Sequence, residues 1–203
     1  MLGEKVVMDI DLANKGFTIV GPRGSGKTTL AKHILSSTDL EEHLVYDPVD
    51  DYEGFRRYCP KDRDSVEELD HFIHTFVIPE RPKVVIFDEA NKYVRPAPSR
   101  LPSGLGDLND LSRHWGIAWG CITRRPSQFH THIYEFSQYI FIYGLHGRND
   151  LRNLNDIHAG LGRQVDNLPK HHFIVVDNTE GRKISVHKPI DLSTIKYGPK
   201  KKR

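Results

Sequence analysis

Short apolar runs alternate with amphipathic stretches along this chain, which is the pattern of a parallel sheet with crossover helices. Runs at Phe17–Val20, His43–Tyr46, Val84–Phe87, Ile117–Ile122 and Tyr139–Tyr143 predict strands, and Val6–Ile10 predicts a leading strand. The Val84 run has the buried, parallel-sheet character, bounded by Pro82 before it and Asp88 after it. Helical stretches are expected at Thr28–Leu35, Ser65–Thr75, Asp107–His114 and Asp150–His158, with Ser65 and Glu68 in capping-box spacing. Between Arg95 and Gly106, Pro96, Pro98, Pro102, Gly104 and Gly106 predict an exposed loop. Phe173–Val176 and Lys183–Val186 flank Asn178-Thr179-Glu180-Gly181, which predicts a terminal hairpin. No internal repeat is visible.

Length narrows this to one α/β domain, since 203 residues leave little room for a second. The expected division is a single domain over 1–195 and a mobile basic tail over 196–203, carrying Lys196, Lys200, Lys201, Lys202 and Arg203. A hydrophobic share of 37% can bury a core and excludes a disordered chain. The formal charge of +2 excludes a polycation, so any nucleic-acid contact must come from local patches. Cys59 and Cys121 are far apart without metal-ligand spacing, which fits two free thiols in a reducing compartment. No apolar run is long enough to span a bilayer, and the first residues do not resemble a leader, so a soluble, intracellular protein is expected.

The chemistry lies in two segments. Gly21-Pro22-Arg23-Gly24-Ser25-Gly26-Lys27-Thr28, followed by Thr29, fits G-x(4)-G-K-[ST] between a predicted strand and a predicted helix. Glycines let the backbone close around phosphate oxygens, and the helix N-terminus faces the same anion. This is a P-loop for Mg-ATP: Lys27 would bridge the β- and γ-phosphates, and Thr28 would place its hydroxyl on Mg²⁺. Val84-Val-Ile-Phe-Asp88-Glu89 is its partner, a buried strand delivering two carboxylates beside the P-loop. Asp88 would hold Mg²⁺ through water and Glu89 would polarise the attacking water, an arrangement for hydrolysis. The plain alternative for Glu89 is a helix cap.

Beyond these segments, Leu111-Ser-Arg113-His-Trp-Gly116-Ile117 and Thr123-Arg124-Arg125-Pro126-Ser-Gln128 resemble the HerA–FtsK superfamily of hexameric DNA-pumping ATPases. Tyr139–Tyr143 with Gly144-Leu-His-Gly-Arg148-Asn-Asp150, and Asp47-Pro48 with Tyr52, fit the same resemblance, which spans Phe17 to Asp150. It implies a three-layer P-loop NTPase fold of the RecA/ASCE kind, with a mainly parallel sheet and a C-terminal β-hairpin. It implies that Arg113 is an arginine finger for a neighbour's ATP and that Thr123 is the polar sensor. Position 124 departs from the family, which usually has glutamine there. Gln128 could substitute, or Arg124 could itself read phosphate or DNA; Arg148 is either a second trans-acting cation or a turn residue. The small size resembles the genome-packaging ATPases of tailless viruses with an internal membrane.

That resemblance implies double-stranded DNA as a partner, a homo-hexameric ring, contacts with capsid or portal-vertex proteins, and a place in the host cytoplasm or on the virion. Sequence-independent grip needs Lys and Arg on a loop. Arg95 and Arg100 between the prolines, and Lys200–Arg203 in the tail, are the candidates. Plasmid-transfer or DNA-processing ATPases of the same superfamily are alternatives, as is a small-molecule or nucleoside kinase using the 95–106 stretch as a lid. A non-hydrolysing nucleotide switch is a further class. Histidines 130, 132, 171 and 172 lack zinc-site spacing and read as scattered surface residues.

Overall fold

The computed structural model describes residues 10–179 and 181–198. Of the expected leading strand, positions 6–9 lie outside the described residues, and Ile10 belongs to no element. The chain runs through β1 (Gly16–Val20), α1 (Lys27–Leu35), β2 (His43–Tyr46), β3 (Arg57–Tyr58), α2 (Val66–Phe72), α3 (Ile78–Glu80) and β4 (Val84–Phe87). It continues through α4 (Ser103–Trp115), β5 (Ala118–Thr123), α5 (Thr131–Phe136), β6 (Tyr139–Tyr143), α6 (Arg148–Ile157), α7 (Leu161–Asp166), β7 (Phe173–Asp177) and β8 (Lys183–His187).

These strands form one sheet in the order β3-β2-β4-β5-β1-β6-β7-β8. Pairing is parallel from β3 to β6, and β7 and β8 are added antiparallel as the expected hairpin. Alternate residues feed two cores, one on each face. Leu44, Val85, Cys121 and Ile142 point to the side covered by α2, α4, α6 and α7. Ile19, Val45, Ile86 and Phe141 point to the side covered by α1. Leu30 and Ile34 of α1 are buried there, each worth about 2 kcal/mol of apolar burial. The result is three layers with a mainly parallel sheet, the P-loop NTPase fold. Close packing leaves Gly120 no alternative: a Cβ there would sit 2.1 Å from the Phe17 ring of neighbouring β1.

Several boundaries differ from the sequence reading, two of them by more than a few residues. The helix expected to end at Thr75 continues from α2 through a π-turn (Ile73–Val77) into α3, and stops at Arg81 in left-handed backbone. The exposed loop expected to reach Gly106 ends at Pro102, because α4 starts at Ser103. Its cap comes from another helix: the Asp70 carboxylate accepts from Ser103 N (3.3 Å), Ser103 Oγ (3.1 Å) and Gly104 N (2.8 Å). Gly104 is required by proximity to Ile73, 2.9 Å from where a Cβ would stand. Helices α5 and α7, of six residues each, were not expected.

After β8 the chain returns across α1. Ile195 is buried in the second core, His33 Nδ1 pairs with the Thr194 hydroxyl at 2.8 Å, and Lys196 N donates to Ser36 Oγ at 2.9 Å. Of the expected tail 196–203, residues 196–198 are docked, with Gly198 N donating to Gly54 O at 2.9 Å. Positions 199–203 lie outside the described residues, as does Glu180 of the hairpin turn. Cys59 and Cys121 are free thiols. No helix among the described residues is long and apolar enough to cross a membrane.

Candidate nucleotide site

Parallel strands bring their C-terminal ends to one edge of the sheet, and the loops that leave them meet there. The loop after β1, residues 21–26, turns directly into α1. Gly24 and Gly26 adopt φ values of 75° and 112°, which side chains rarely allow. Gly21 is needed for space, since a Cβ would stand 2.7 Å from Tyr143 Cβ. The first turn of α1 has no acidic residue and no side-chain cap, so its N–H groups are open to an anion. Lys27 is buried, and its ammonium donates to Pro22 O at 2.9 Å. Burial pushes that ammonium below its usual range, Asp88 and Glu89 pull it back up, and the Arg124 charge depresses it further. Ser25 Oγ is buried without a partner among the described residues. Thr28 and Thr29 are half-buried at the start of the helix.

Asp88 follows β4 and is 4% exposed. It accepts from Glu89 N at 2.7 Å and has no ion-pair contact among the described residues. Fully buried Tyr52 sets its hydroxyl against this carboxyl, outside strict hydrogen-bond geometry. Desolvation is the largest influence and raises the Asp88 pKa to about 6; the neighbouring Glu89 charge also raises it, while the bond from Glu89 N opposes. A desolvated carboxyl with no ion-pair contact among the described residues, at the sheet edge that also carries Thr28 of the phosphate loop, is a donor set that fits Mg²⁺.

Glu89 sits in left-handed backbone, φ 49°. Its Oε1 accepts from Arg124 Nε (3.1 Å) and Nη2 (2.8 Å), and its Oε2 is buried with no partner among the described residues. Thr123 closes the group. It ends β5, its carbonyl accepts from Gly21 N at 3.2 Å, and its buried hydroxyl has no partner among the described residues. Asp88 and Glu89 leave β4 at the same sheet edge as the phosphate loop, near enough for their charges to act on Lys27, although β4 and β1 are not adjacent. Strand β5 lies between them, so Thr123 and Arg124 stand between phosphate loop and carboxylates.

The other candidates lie elsewhere. Arg113 is exposed on α4, whose C-terminus feeds the start of β5, so a whole strand of about 17 Å separates it from the site. Arg95 and Arg100 are exposed on the loop 95–102, which His130 Nε2 ties down through Ser99 O at 2.8 Å. Arg148 is exposed at the first residue of α6, at the nucleotide end, and Gln128 is exposed in a turn before α5. Lys200–Arg203 lie outside the described residues.

Two features were not anticipated. One is the direct grip of Arg124 on Glu89. The other is a cavity of 380 Å³ next to Gly24, Lys27 and Thr28, walled by Tyr143, His171, Pro189, Ile190 and Leu192. His171, in left-handed backbone, contacts the Ser25 carbonyl at 3.1 Å through Nδ1, and Leu192 is 67% exposed. Ile190 and Leu192 stand singly among polar residues after the hairpin, so no sequence pattern signalled this wall. A larger cavity of 620 Å³ opens between α5, α6 and the β7–β8 turn, but no phosphate-loop residue lines it.

The family described as AAA domain matches residues 13–102, a segment holding both the phosphate loop and β4. No curated protein sequence matches the chain. Among solved structures, the genome packaging NTPase B204 of Sulfolobus turreted icosahedral virus 2, in complex with ATPγS, is 20% identical with a TM-score of 0.73. That match covers 89% of this chain and 100% of the other. B204 of Sulfolobus turreted icosahedral virus, a DNA-packaging ATPase, is 17% identical with a TM-score of 0.75 over 89% and 100% of the two chains. The N-terminal domain of zonular occludens toxin from Neisseria meningitidis is 14% identical with a TM-score of 0.57 over 90% and 98%. The resemblance to packaging ATPases read from the motifs is thus met by a shared fold over nearly the whole chain.

Proposed function

We propose that this chain is an ATPase of the HerA–FtsK superfamily that moves double-stranded DNA, in the manner of a viral genome-packaging motor. One observation carries the hydrolytic reading: Lys27, Asp88, Glu89 and Thr123 converge at one sheet edge, and Glu89 offers a buried, unspent oxygen. The amides of residues 24–28 and the Lys27 ammonium take the phosphates, with Lys27 exchanging Pro22 O for phosphate oxygen. Asp88 and Thr28 are the residues that would hold Mg²⁺, which supplies charge neutralisation at the phosphates when bound. Glu89 Oε2 accepts the proton of the attacking water, and the Thr123 hydroxyl orients that water or the departing phosphate. The base occupies the slot between Tyr143, His171 and the 189–192 segment, whose exposed Leu192 gains an apolar partner.

Assembly completes the reading. Arg113 stands at the far end of its own sheet, so a role at ATP requires a neighbouring subunit in a ring, which we take to be a hexamer. Exposed Leu111, two residues earlier, supplies apolar contact at the same joint. The exposed arginines of the 95–102 loop would grip DNA phosphates without reading sequence, helped by Lys200–Arg203. Capsid or portal-vertex proteins are the further partners, in the host cytoplasm or on the virion. A kinase acceptor has no evident advantage here, because the free carboxylate oxygen beside Asp88 suits water.

The test is ATP turnover of the full chain with and without double-stranded DNA, alongside the mass of the assembly. Glu89→Gln should lower turnover about a hundredfold or more and leave ATP binding intact. Turnover at the wild-type rate would remove Glu89 from the reaction, and absence of turnover in wild type with DNA present would end the ATPase reading.

A further inference from the structure

Arg124 occupies the position where glutamine is usual in the resembled family, and what it does here is specific. It follows Thr123 at the end of β5, the strand between the phosphate loop and the two carboxylates. Both of its bonds to Glu89, from Nε and Nη2, converge on the single oxygen Oε1. A purely structural arginine–carboxylate pair gains most from a fork on both oxygens. Here the second oxygen stays buried with no partner among the described residues, a state native proteins tolerate where the group has work to do. The remaining donors of the guanidinium, including all of Nη1, have no partner among the described residues. Arg124 is 47% exposed where Glu89 is 14% exposed, so the pair is anchored at its carboxylate end and open at its cationic end.

An anion is the natural occupant of that open side. Arg124 leaves the end of β5, which pairs with β1 just before the phosphate loop, and its charge is felt at Lys27, so two cations stand at the same pair of strand ends. The planar fork of arginine lets one guanidinium bond a carboxylate along one edge and a phosphate along another, which an ammonium cannot do.

We propose that Arg124 reads the terminal phosphate of the bound nucleoside triphosphate and, through the same guanidinium, positions Glu89 with Oε2 toward the attacking water. This rests on the ATPase reading above and adds a same-subunit phosphate reader to it. Arg124 is a positioning residue toward Glu89 and a binding residue toward the γ-phosphate. It makes the energetic difference between triphosphate and diphosphate local to one side chain.

The experiment compares the affinity of the full chain for ADP and for the β,γ-methylene analogue of ATP, together with kcat and KM. In Arg124→Ala the analogue should weaken about ten- to a hundredfold while ADP affinity is unchanged, and kcat should fall. Unchanged ADP affinity also reports that the variant is folded. Arg124→Lys should recover part of the analogue affinity, through its charge, without recovering kcat. Added guanidinium ion should raise turnover of Arg124→Ala and not of wild type. If Arg124→Ala bound analogue and ADP in the wild-type ratio, or lost both in parallel, the proposal would be overturned. Lys27→Ala separates this from failure of the nucleotide site. A chain indifferent to Lys27→Ala has no phosphate loop in use. A chain that needs Lys27 for both nucleotides, yet keeps the wild-type ratio without Arg124, loses only the role assigned to Arg124.

Discussion

The two ends of the central sheet are finished to different degrees. At the phosphate end, loop, strand tips and side chains hold one another: Gly21 N on Thr123 O, Lys27 on Pro22 O, Arg124 on Glu89, Tyr143 OH on Gly26 O. At the other end, exposed Arg113 makes no ion pair among the described residues, and neighbouring Leu111 is 41% exposed. The first end can bind its ligand within one chain. The strand starts at the second end are tied as well, Gly16 N on Gln138 Oε1 and Ala118 N on Lys83 O, and what one chain leaves uncovered there is Arg113 with Leu111.

Breaking the second end should have the largest effect. Arg113→Ala is expected to lower DNA-stimulated turnover about a thousandfold or more, because an arginine supplied to a departing γ-phosphate contributes on that scale. ATP affinity should hold, since Arg113 is a strand length from its own phosphate loop. Mixing Arg113→Ala with Lys27→Ala should restore part of the activity, each subunit supplying what its neighbour lacks. A mixture as inactive as its parts would make the second end an ordinary surface.

The first end can be sharpened through Asp88. Its pKa of about 6 lies above the unfolded value of 3.8, so the folded chain binds this proton more tightly. Stability from this group is fully present below about pH 4 and is lost as pH rises through about 6. The cost at neutral pH is about 3 kcal/mol. Without nucleotide and divalent ion, Asp88→Asn should stabilise the chain by up to that amount at pH 7.5 and hardly at all at pH 4. Denaturant titrations at the two pH values check this; equal effects at both would show that charge is not the cause.

This contrast also governs what could be read without the structure. Strands β2, β4 and β6 are where the apolar runs put them, because a strand buried on both faces is a short run closed by turn residues. The phosphate loop was legible because its chemistry is local: glycines, lysine and threonine within eight positions. Strand order was not legible in the runs themselves, and so neither was β5 standing between Gly21 and Asp88. Arg124 could be singled out as a departure but not paired with Glu89, since 35 positions separate them along the chain. The wall made by Ile190 and Leu192 depends on the chain crossing α1 after the hairpin, a path no periodicity reports.

The start of α4 is the remaining case, and it joins the two ends. Proline and glycine at 102, 104 and 106 argue locally for loop, and a single carboxylate outweighs them. Asp70, 33 residues before Ser103, satisfies two N–H groups and a hydroxyl at the helix start. Asp70→Ala leaves those donors unpaired, at a cost of about 1–2 kcal/mol. The helix should fray over its first turn, seen as faster hydrogen exchange at residues 103–106 and a lower denaturation midpoint. Asp70→Asn keeps one acceptor and should fall between. Because the 95–102 loop hangs from this start on one side and from His130 on the other, its release should reduce stimulation by DNA and spare basal turnover. If basal turnover fell in step, the phosphate end would depend on α4, and the separation of the two ends would not hold.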